Sequence, residues 1–292
     1  MKNPLHKALP RVLVGIVTFN RVDLLAKAIA SAIGQSFPNC RVAVIDDCST
    51  DSTAEISAAF PEVQWKCQKR NSGYLIARNE FMSTEECEYF LSLDDDAWFL
   101  VGDEIALAVD YLEAHPDTGA IAFDILTPER DLEVPRAEPQ QVNMFIGCGH
   151  VVRLSTVQKL GLYDPLPGFY GGEEKDLCLR MLDAGFKVIL LPGVHVWHEK
   201  SPVARDLQAQ NASGVCNDLA FALRRTPAMW LIPILAMKLI SHLLFGMRMG
   251  LLRSSLKGIR LFLVNIIDLW PTRRPVGMKA LLRYRQLSRS AR

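Results

Sequence analysis

Residues 11–47 read RVLVGIVTFNRVDLLAKAIASAIGQSFPNCRVAVIDD. Arg11–Phe19 is a β-branched apolar run, the pattern of a strand buried on both faces. Val22–Ile33 sets Leu24, Leu25, Ala28, Ile29 and Ala32 at helical spacing. Arg41–Asp46 is a second apolar run. The alternation continues outward. Ser52–Phe60 reads as a short helix capped by Thr50 or Asp51, Val63–Gln68 as a third strand and Tyr74–Ser83 as a helix. Glu88–Leu93 reads as a strand running into Asp94-Asp95-Asp96, and Asp103–His115 as a helix. This order implies an α/β fold with a mostly parallel sheet and helices on both faces. Such sheets bind ligands at the carboxyl ends of their strands, where Thr18-Phe19-Asn20, Asp46-Asp47 and Asp94-Asp95-Asp96 stand.

Beyond residue 119 the pattern becomes mixed. Gly119–Phe123, Val142–Ile146, His150–Leu154 and Lys187–Leu191 are expected to be strands, and Glu173–Ala184 a helix. The Pro- and charge-rich stretch Thr127–Gln141 is expected to be a mobile loop. From about residue 219 the chain turns apolar, basic and helical. The 292 residues are 49% hydrophobic and 22% charged, which argues against wholesale disorder. The net charge of +1 conceals a split: residues 1–218 sum to −12, and residues 219–292, with Asp268 as their one acid, to +13. Seven scattered cysteines without a CxxC pair argue against a disulfide framework or structural zinc, and for reduced thiols in the cytoplasm. The N-terminal residues lack the apolar core and cleavage site of a signal peptide.

Three adjacent carboxylates repel one another unless a cation neutralises them, and Mg²⁺ or Mn²⁺ takes oxygen ligands shared with substrate phosphates. The bland reading of Asp94–Asp96 is a solvated acidic turn. Asp46-Asp47 ends an inner strand, where a base or ribose with donor groups would supply a partner; the alternative is the start of a turn into Cys48-Ser49-Thr50. Asn71-Ser72-Gly73-Tyr74 opens a helix carrying Arg78 and Asn79, an arrangement able to host phosphate or ribose. Glu173, Glu174 and Asp176 crowd a helix first turn. The helix dipole favours acids there, yet the lead-in Gly168-Phe169-Tyr170-Gly171-Gly172 would let an acceptor approach a carboxylate acting as general base. His195 and His198 are expected to follow a strand, with His198 beside any ion that Asp96 binds.

In order, Val-x-Ile-Val-Thr-Phe-Asn-Arg (14–21), Val-Ile-Asp-Asp-x-Ser-Thr-Asp (44–51), Asn-x-Gly-x-x-x-Ala-Arg-Asn (71–79), Leu-Asp-Asp-Asp (93–96) and Gly-Glu-Glu-x-Asp-Leu-x-x-Arg (172–180) resemble family 2 glycosyltransferases of the GT-A fold over roughly residues 11–201. Within that family, bacterial rhamnosyl- and galactofuranosyltransferases of cell-envelope polysaccharide assembly look similar. The resemblance implies an inverting, metal-dependent sugar transfer from a nucleotide diphosphate donor of UDP or dTDP type to a glycan or glycolipid hydroxyl. By that resemblance Thr18, Phe19, Asn20 and Asp46 hold base and ribose. Asn71, Gly73 and Arg78 line the nucleotide pocket, and Asp94 and Asp95 face the donor. Asp94, Asp96 and His198 bind Mn²⁺ or Mg²⁺, and Glu174 is the catalytic base with Glu173 in reserve. The family usually places Asp where Glu174 stands. No Gln-x-x-Arg-Trp motif of processive synthases occurs, which implies addition of one or very few sugars. The rival reading is a catalytically silent nucleotide-sugar-binding or scaffolding protein.

The sequence therefore divides into a GT-A domain over 1–218, with a nucleotide-binding part near 11–124 and an acceptor-side part near 125–218, and a basic helical tail over 219–292. Ala228–Phe245 is near the minimum length of a membrane span, but Pro233, Lys238, Ser241 and His242 weaken it. Arg253, Lys257 and Arg260 share one helical face among bulky aliphatics, as in helices that lie on anionic membrane surfaces. A packed subdomain or a homo-oligomer interface is the alternative. Nucleic-acid binding is disfavoured, because the bases sit among aliphatics. The expected place is the cytoplasm, peripheral to the inner membrane face.

Overall fold

A computed structural model describes residues 11–129, 138–200 and 206–290. Residues 130–137 of the loop expected over Thr127–Gln141 lie outside them. The strands are β1 Val12–Thr18, β2 Cys40–Asp46, β3 Gln64–Cys67, β4 Tyr89–Asp94, β5 Ala97–Phe99, β6 Thr118–Leu126, β7 Gln140–Val142, β8 Gly149–Arg153 and β9 Lys187–His198. The helices are α1 Val22–Ile33, α2 Tyr74–Thr84, α3 Glu104–Ala114, α4 Leu154–Leu160, α5 Glu173–Asp183, α6 Leu207–Arg225, α7 Ala228–Arg248, α8 Leu252–Val264, α9 Ile266–Leu269 and α10 Met278–Ser290. The expected helix after Asp51 is a 3-10 helix, Ser52–Ala59, whose Thr53 amide donates to the Asp51 carboxylate at 3.0 Å.

The chain forms two compact units. The first comprises Met1–Gln140, Ile146–Lys159 and Ile189–Lys200. Its sheet runs β3-β2-β1-β4-β8-β6-β9-β5. β3, β2, β1 and β4 pair in parallel, whereas β8 meets both β4 and β6 antiparallel. Parallel register sets Thr18 opposite Asp46 and Val17 opposite Asp94, so three acid- or hydroxyl-bearing strand ends lie at one sheet edge. The β-branched runs bury because helices cover them: Val12, Val14, Ile16, Leu25, Ile29, Leu91 and Leu93 share one core with Leu112 and Val196. Gly15 is required by packing, since a Cβ there would sit 2.6 Å from Phe90 and 2.8 Å from Phe81.

Three expected strands change limits by more than one residue; the one expected over Gly119–Phe123 runs on to Leu126. The strand here is Gln140–Val142, so it takes the last two residues of the expected loop and shares only Val142 with the strand expected over Val142–Ile146; Ile146 makes an isolated bridge to Gly149 that closes a turn. The strand expected to stop at Leu191 continues through Pro192-Gly193 to His198, because its far end finds partners in β5, Ala97 opposite His198 and Phe99 opposite Val196. His195 and His198 thus lie within a strand rather than after one.

The second unit comprises Gln141–Phe145, Leu160–Val188 and Ser201–Arg292. The boundary expected at residue 218 falls inside α6, so the change in charge does not coincide with the end of an element. α6 packs on α7 and α8 through Val215, Leu219, Leu223, Leu231 and Phe262. α6 and α8 approach so closely at Gly258 that a Cβ would lie 2.3 Å from the Ala212 carbonyl oxygen.

Candidate functional site

The strand ends of the first unit build a hydrogen-bonded rim. Asn20 adopts φ +52°, a left-handed conformation that Asn tolerates better than most residues. From there its Oδ1 accepts the Thr50 amide at 2.7 Å, while its own amide donates to Ser49 Oγ at 2.9 Å. Asp46 Oδ1 accepts the Ser49 amide at 2.8 Å. Asp47 holds the Asn71–Gly73 turn: Oδ1 accepts the Ser72 amide and hydroxyl at 2.8 and 2.9 Å, and Oδ2 accepts the Gly73 amide at 2.7 Å. The two buried acids therefore have partners inside the chain, so their pairing does not by itself call for a ligand. Thr18 is buried, Phe19 half-buried and Asn71 exposed on the turn that Asp47 holds.

At the end of β4 the structure gathers charges that are distant in sequence. Arg78 Nη2 donates to Asp94 Oδ1 at 2.6 Å and to the Gly147 carbonyl at 3.1 Å. Arg21 Nη1 lies 2.8 Å from Asp95 Oδ1 and 3.2 Å from Asp96 Oδ2. His198 Nε2 lies 3.2 Å from Asp96 Oδ1. The β5–β9 register explains the last approach, since His198 sits opposite Ala97 and the Glu199 amide donates to the Asp96 carbonyl at 2.9 Å. Burial pushes the Asp95 carboxyl up to about 6; Arg21 opposes the rise, and Asp96 and Asp94 add to it. Asp96 is fully buried, whereas the Asp94 side chain is 32% exposed.

Asp94, Cys148 and His198 each offer a ligand atom, all within 4.8 Å of one another. A carboxylate oxygen and an imidazole nitrogen suit a divalent ion, with Asp96 held against the same histidine. His195 is not one of the three. Cys148 carries no sequence motif, and its place beside Asp94 and His198 is visible only once β8 lies beside β4. Arg21 stands in the first quoted motif, but only folding shows that its guanidinium neutralises the acid cluster.

In the second unit, α5 opens at Gly172 with Glu173 buried and Glu174 half-buried. The lead-in is shaped by Asn217 of α6. Its Oδ1 accepts the Gly168 amide at 2.7 Å, and its Nδ2 donates to the carbonyls of Gly168, Tyr170 and Gly171 at 3.0, 3.2 and 2.7 Å. Ser213 Oγ accepts the Tyr170 amide at 2.8 Å. With its backbone so held, the loop leaves Phe169 66% and Tyr170 46% exposed. Asp176 and Arg180 of the last quoted motif serve architecture: Asp176 accepts from Arg225 Nε at 2.5 Å and Arg180 Nε at 2.8 Å, and Arg180 also donates to the Leu160 and Leu162 carbonyls, each at 2.7 Å.

Residues 13–147 match the family described as Glycosyl transferase family 2. The succinoglycan biosynthesis protein ExoO of Rhizobium meliloti is 33% identical over 98 residues, which is 33% of this chain and 28% of that protein. An Escherichia coli protein named UDP-Glc:alpha-D-GlcNAc-diphosphoundecaprenol beta-1,3-glucosyltransferase WfaP is 24% identical, covering 59% of this chain and 70% of its own length. Among solved structures, a Pyrobaculum calidifontis mannosyltransferase in complex with GDP-Man and Mn²⁺ superposes with TM-score 0.61 at 19% identity, over 91% of this chain and 88% of its own. Staphylococcus aureus TarS in complex with UDP-GlcNAc gives 0.64 at 17%, over 92% and 82%.

Proposed function

We propose that this chain, whose residues 13–147 form a glycosyl transferase family 2 domain on a GT-A fold, moves one sugar from a nucleotide diphosphate donor to a hydroxyl of a cell-envelope glycan or glycolipid, with inversion. The observation that carries the reading is the convergence of Arg21, Arg78 and His198 on Asp94–Asp96 at the carboxyl end of β4. The curated relatives and the GT-A structures carrying nucleotide sugars support it.

Asp94, Asp96 and His198 would hold Mn²⁺ or Mg²⁺, which supplies charge neutralisation at a leaving diphosphate. The remaining work belongs to the chain. Arg78 holds the Asp94 carboxylate in place, and Arg21 offsets the repulsion of Asp95 and Asp96. Thr18, Phe19, Asn20 and Asp46 border the base and ribose, and Asn71 and Gly73 the adjoining pocket edge. Glu174 takes the proton of the acceptor hydroxyl as its oxygen attacks the anomeric carbon opposite the leaving group. Exposed Phe169 and Tyr170 offer faces on which a sugar ring can stack. A screen of the purified protein against UDP-, dTDP- and GDP-sugars, with Mn²⁺, Mg²⁺ or EDTA, should show donor-specific thermal stabilisation and slow donor hydrolysis only with metal. Stabilisation without any turnover across donors and acceptors would favour the silent binding protein.

The reading places the second unit on an anionic membrane surface, with α7 in its plane. α7 is 21 residues, long and apolar enough to cross a bilayer. One stripe of it, Leu231, Leu235, Leu239 and Gly246, faces the α6–α8 core. On that stripe Lys238 and His242 reach Asp218 of α6 at 2.6 and 2.9 Å. Burial would raise the Asp218 carboxyl, but the His242 hydrogen bond and the charges of Lys175 and Lys238 hold it well below the usual carboxylate range. A crossing helix would draw this charged cluster into hydrocarbon, where charges are costly. The opposite face is apolar and open at Met229, Ile232, Met237, Ile240 and Leu244, and α8 adds exposed Arg253, Lys257 and Arg260 beside Leu252 and Leu256. The full-length protein should sediment with phosphatidylglycerol vesicles but not with phosphatidylcholine alone, and alkaline carbonate should release it. Each base near an anionic leaflet is worth about 1 kcal/mol, so Arg253→Gln, Lys257→Gln and Arg260→Gln together should weaken binding roughly 100-fold. Carbonate-resistant membrane association would mean that α7 spans.

A further inference from the structure

Three donors of different chemistry meet in the first unit: the Asp94 carboxylate ending β4, the Cys148 thiol leading into β8, and the His198 imidazole ending β9, their ligand atoms mutually within 4.8 Å. The carboxylate suits a hard ion and the imidazole a borderline one; a buried sulfur beside them shifts the preference further toward soft ions. Thiolate ligands select zinc-like, thiophilic cations, while carboxylates alone suit Mg²⁺, Ca²⁺ and Mn²⁺.

Local structure holds the sulfur there. The Arg78 guanidinium that grips Asp94 at 2.6 Å also grips the Gly147 carbonyl at 3.1 Å, tying the residue before Cys148 to the end of β4. The Ile146–Gly149 bridge closes the turn, and the buried His150 ring donates through Nδ1 to the Ile146 carbonyl at 3.1 Å. Cys148 therefore sits on a braced turn, and a braced ligand costs little to order on binding.

We propose that Asp94, Cys148 and His198 form a binding site for a thiophilic divalent cation of the Zn²⁺ class, with Cys148 Sγ as a direct ligand, so that such ions compete with Mg²⁺ or Mn²⁺ here. On binding, the S–H bond breaks and a metal–sulfur bond forms, and the proton passes to the buffer. The site overlaps the one proposed for sugar transfer, but the inference is read from binding without turnover, so it stands or falls independently of the transferase reading.

The test uses Co²⁺ and Cd²⁺ added to the full chain, with Cys40, Cys48, Cys67 and Cys87, which are exposed or half-buried, replaced by Ser. The expected result is a sulfur-to-metal charge-transfer band that saturates at a single equivalent, accompanied by proton release. Excess Mn²⁺ should reverse both. In Cys148→Ser the band should vanish and Cd²⁺ affinity should fall at least ~10-fold, the lower edge of what loss of even a supporting partner costs a metal site, while Mn²⁺ affinity stays within about twofold. His198→Gln should weaken both ions and guards against a serine variant that fails to fold. A band that persists in Cys148→Ser, or none in the parent at saturating Co²⁺, would overturn the proposal.

Discussion

Replacing Asp176 by alanine is expected to destabilise the second unit by about 3–5 kcal/mol, the range for stripping the partner from a buried ion pair. Asp176 is fully buried and accepts three charged hydrogen bonds, from Arg225 Nε and Nη2 at 2.5 and 3.1 Å and from Arg180 Nε at 2.8 Å. Arg225 is itself 1% exposed, held further by Asp164 and the Arg274 carbonyl. Without Asp176, Arg180 keeps only the Leu160 and Leu162 carbonyls, and Arg225 must share Asp164 with Arg224. The network also joins α5 to α6, so its loss should loosen both helices. Asp176→Asn keeps the volume and one acceptor but loses the charge, and should fall between parent and alanine. The measurement is the urea unfolding midpoint, with Lys66→Ala as the contrast. Lys66 pairs with Glu80 on the surface, its side chain 55% exposed, and such pairs contribute 0–1 kcal/mol. Equal shifts in the two variants would show that the buried network is no more important than a surface pair.

Glu174→Gln is expected to lower sugar transfer by 10²–10⁴-fold, the usual contribution of a positioned general base. Metal-dependent donor affinity should stay within about twofold, because the residues proposed to hold nucleotide and ion belong to the first unit. The substitution keeps size and hydrogen-bonding reach, so unfolding would not explain the loss. Glu173→Gln is the necessary companion. Glu173 is 3% exposed, which suits a structural acid at a helix start better than a base open to an acceptor. If Glu173→Gln abolishes transfer and Glu174→Gln leaves it intact, the roles are exchanged.

Much of the site was legible because its parts lie at ends of regular elements. β-branched runs at Arg11–Phe19 and Arg41–Asp46 carry their own strand signal, and parallel register then brings Thr18, Asp46 and Asp94 to one edge. Asp46 and Asp47 show the limit of that reading. Adjacent buried acids look like ligand hooks in sequence, yet each finds backbone amides a few or some twenty-five residues away. Asp176 and Arg180 sit in a motif shared with Glu173 and Glu174 and proved to be scaffolding. A motif records which residues occur together, not which of them faces substrate.

The sequence by itself determined the alternating α/β architecture, the acid-rich edge and the charge split, because these follow from periodicity, local propensity and composition, all short-range properties. Tertiary structure decided the rest. Arg21, Cys148 and His198 reach the Asp94–Asp96 end only through pairings between strands far apart in the chain, which no local pattern encodes. It also decided which face of α7 is occupied, since Asp218 captures Lys238 and His242 and leaves the other face bare. The basic tail that looked like an appendage begins within α6, the helix whose Asn217 shapes the loop before Glu174 and whose Arg225 neutralises Asp176. Part of its positive charge therefore serves the interior of its own unit, and Arg253, Lys257 and Arg260 remain exposed on the surface.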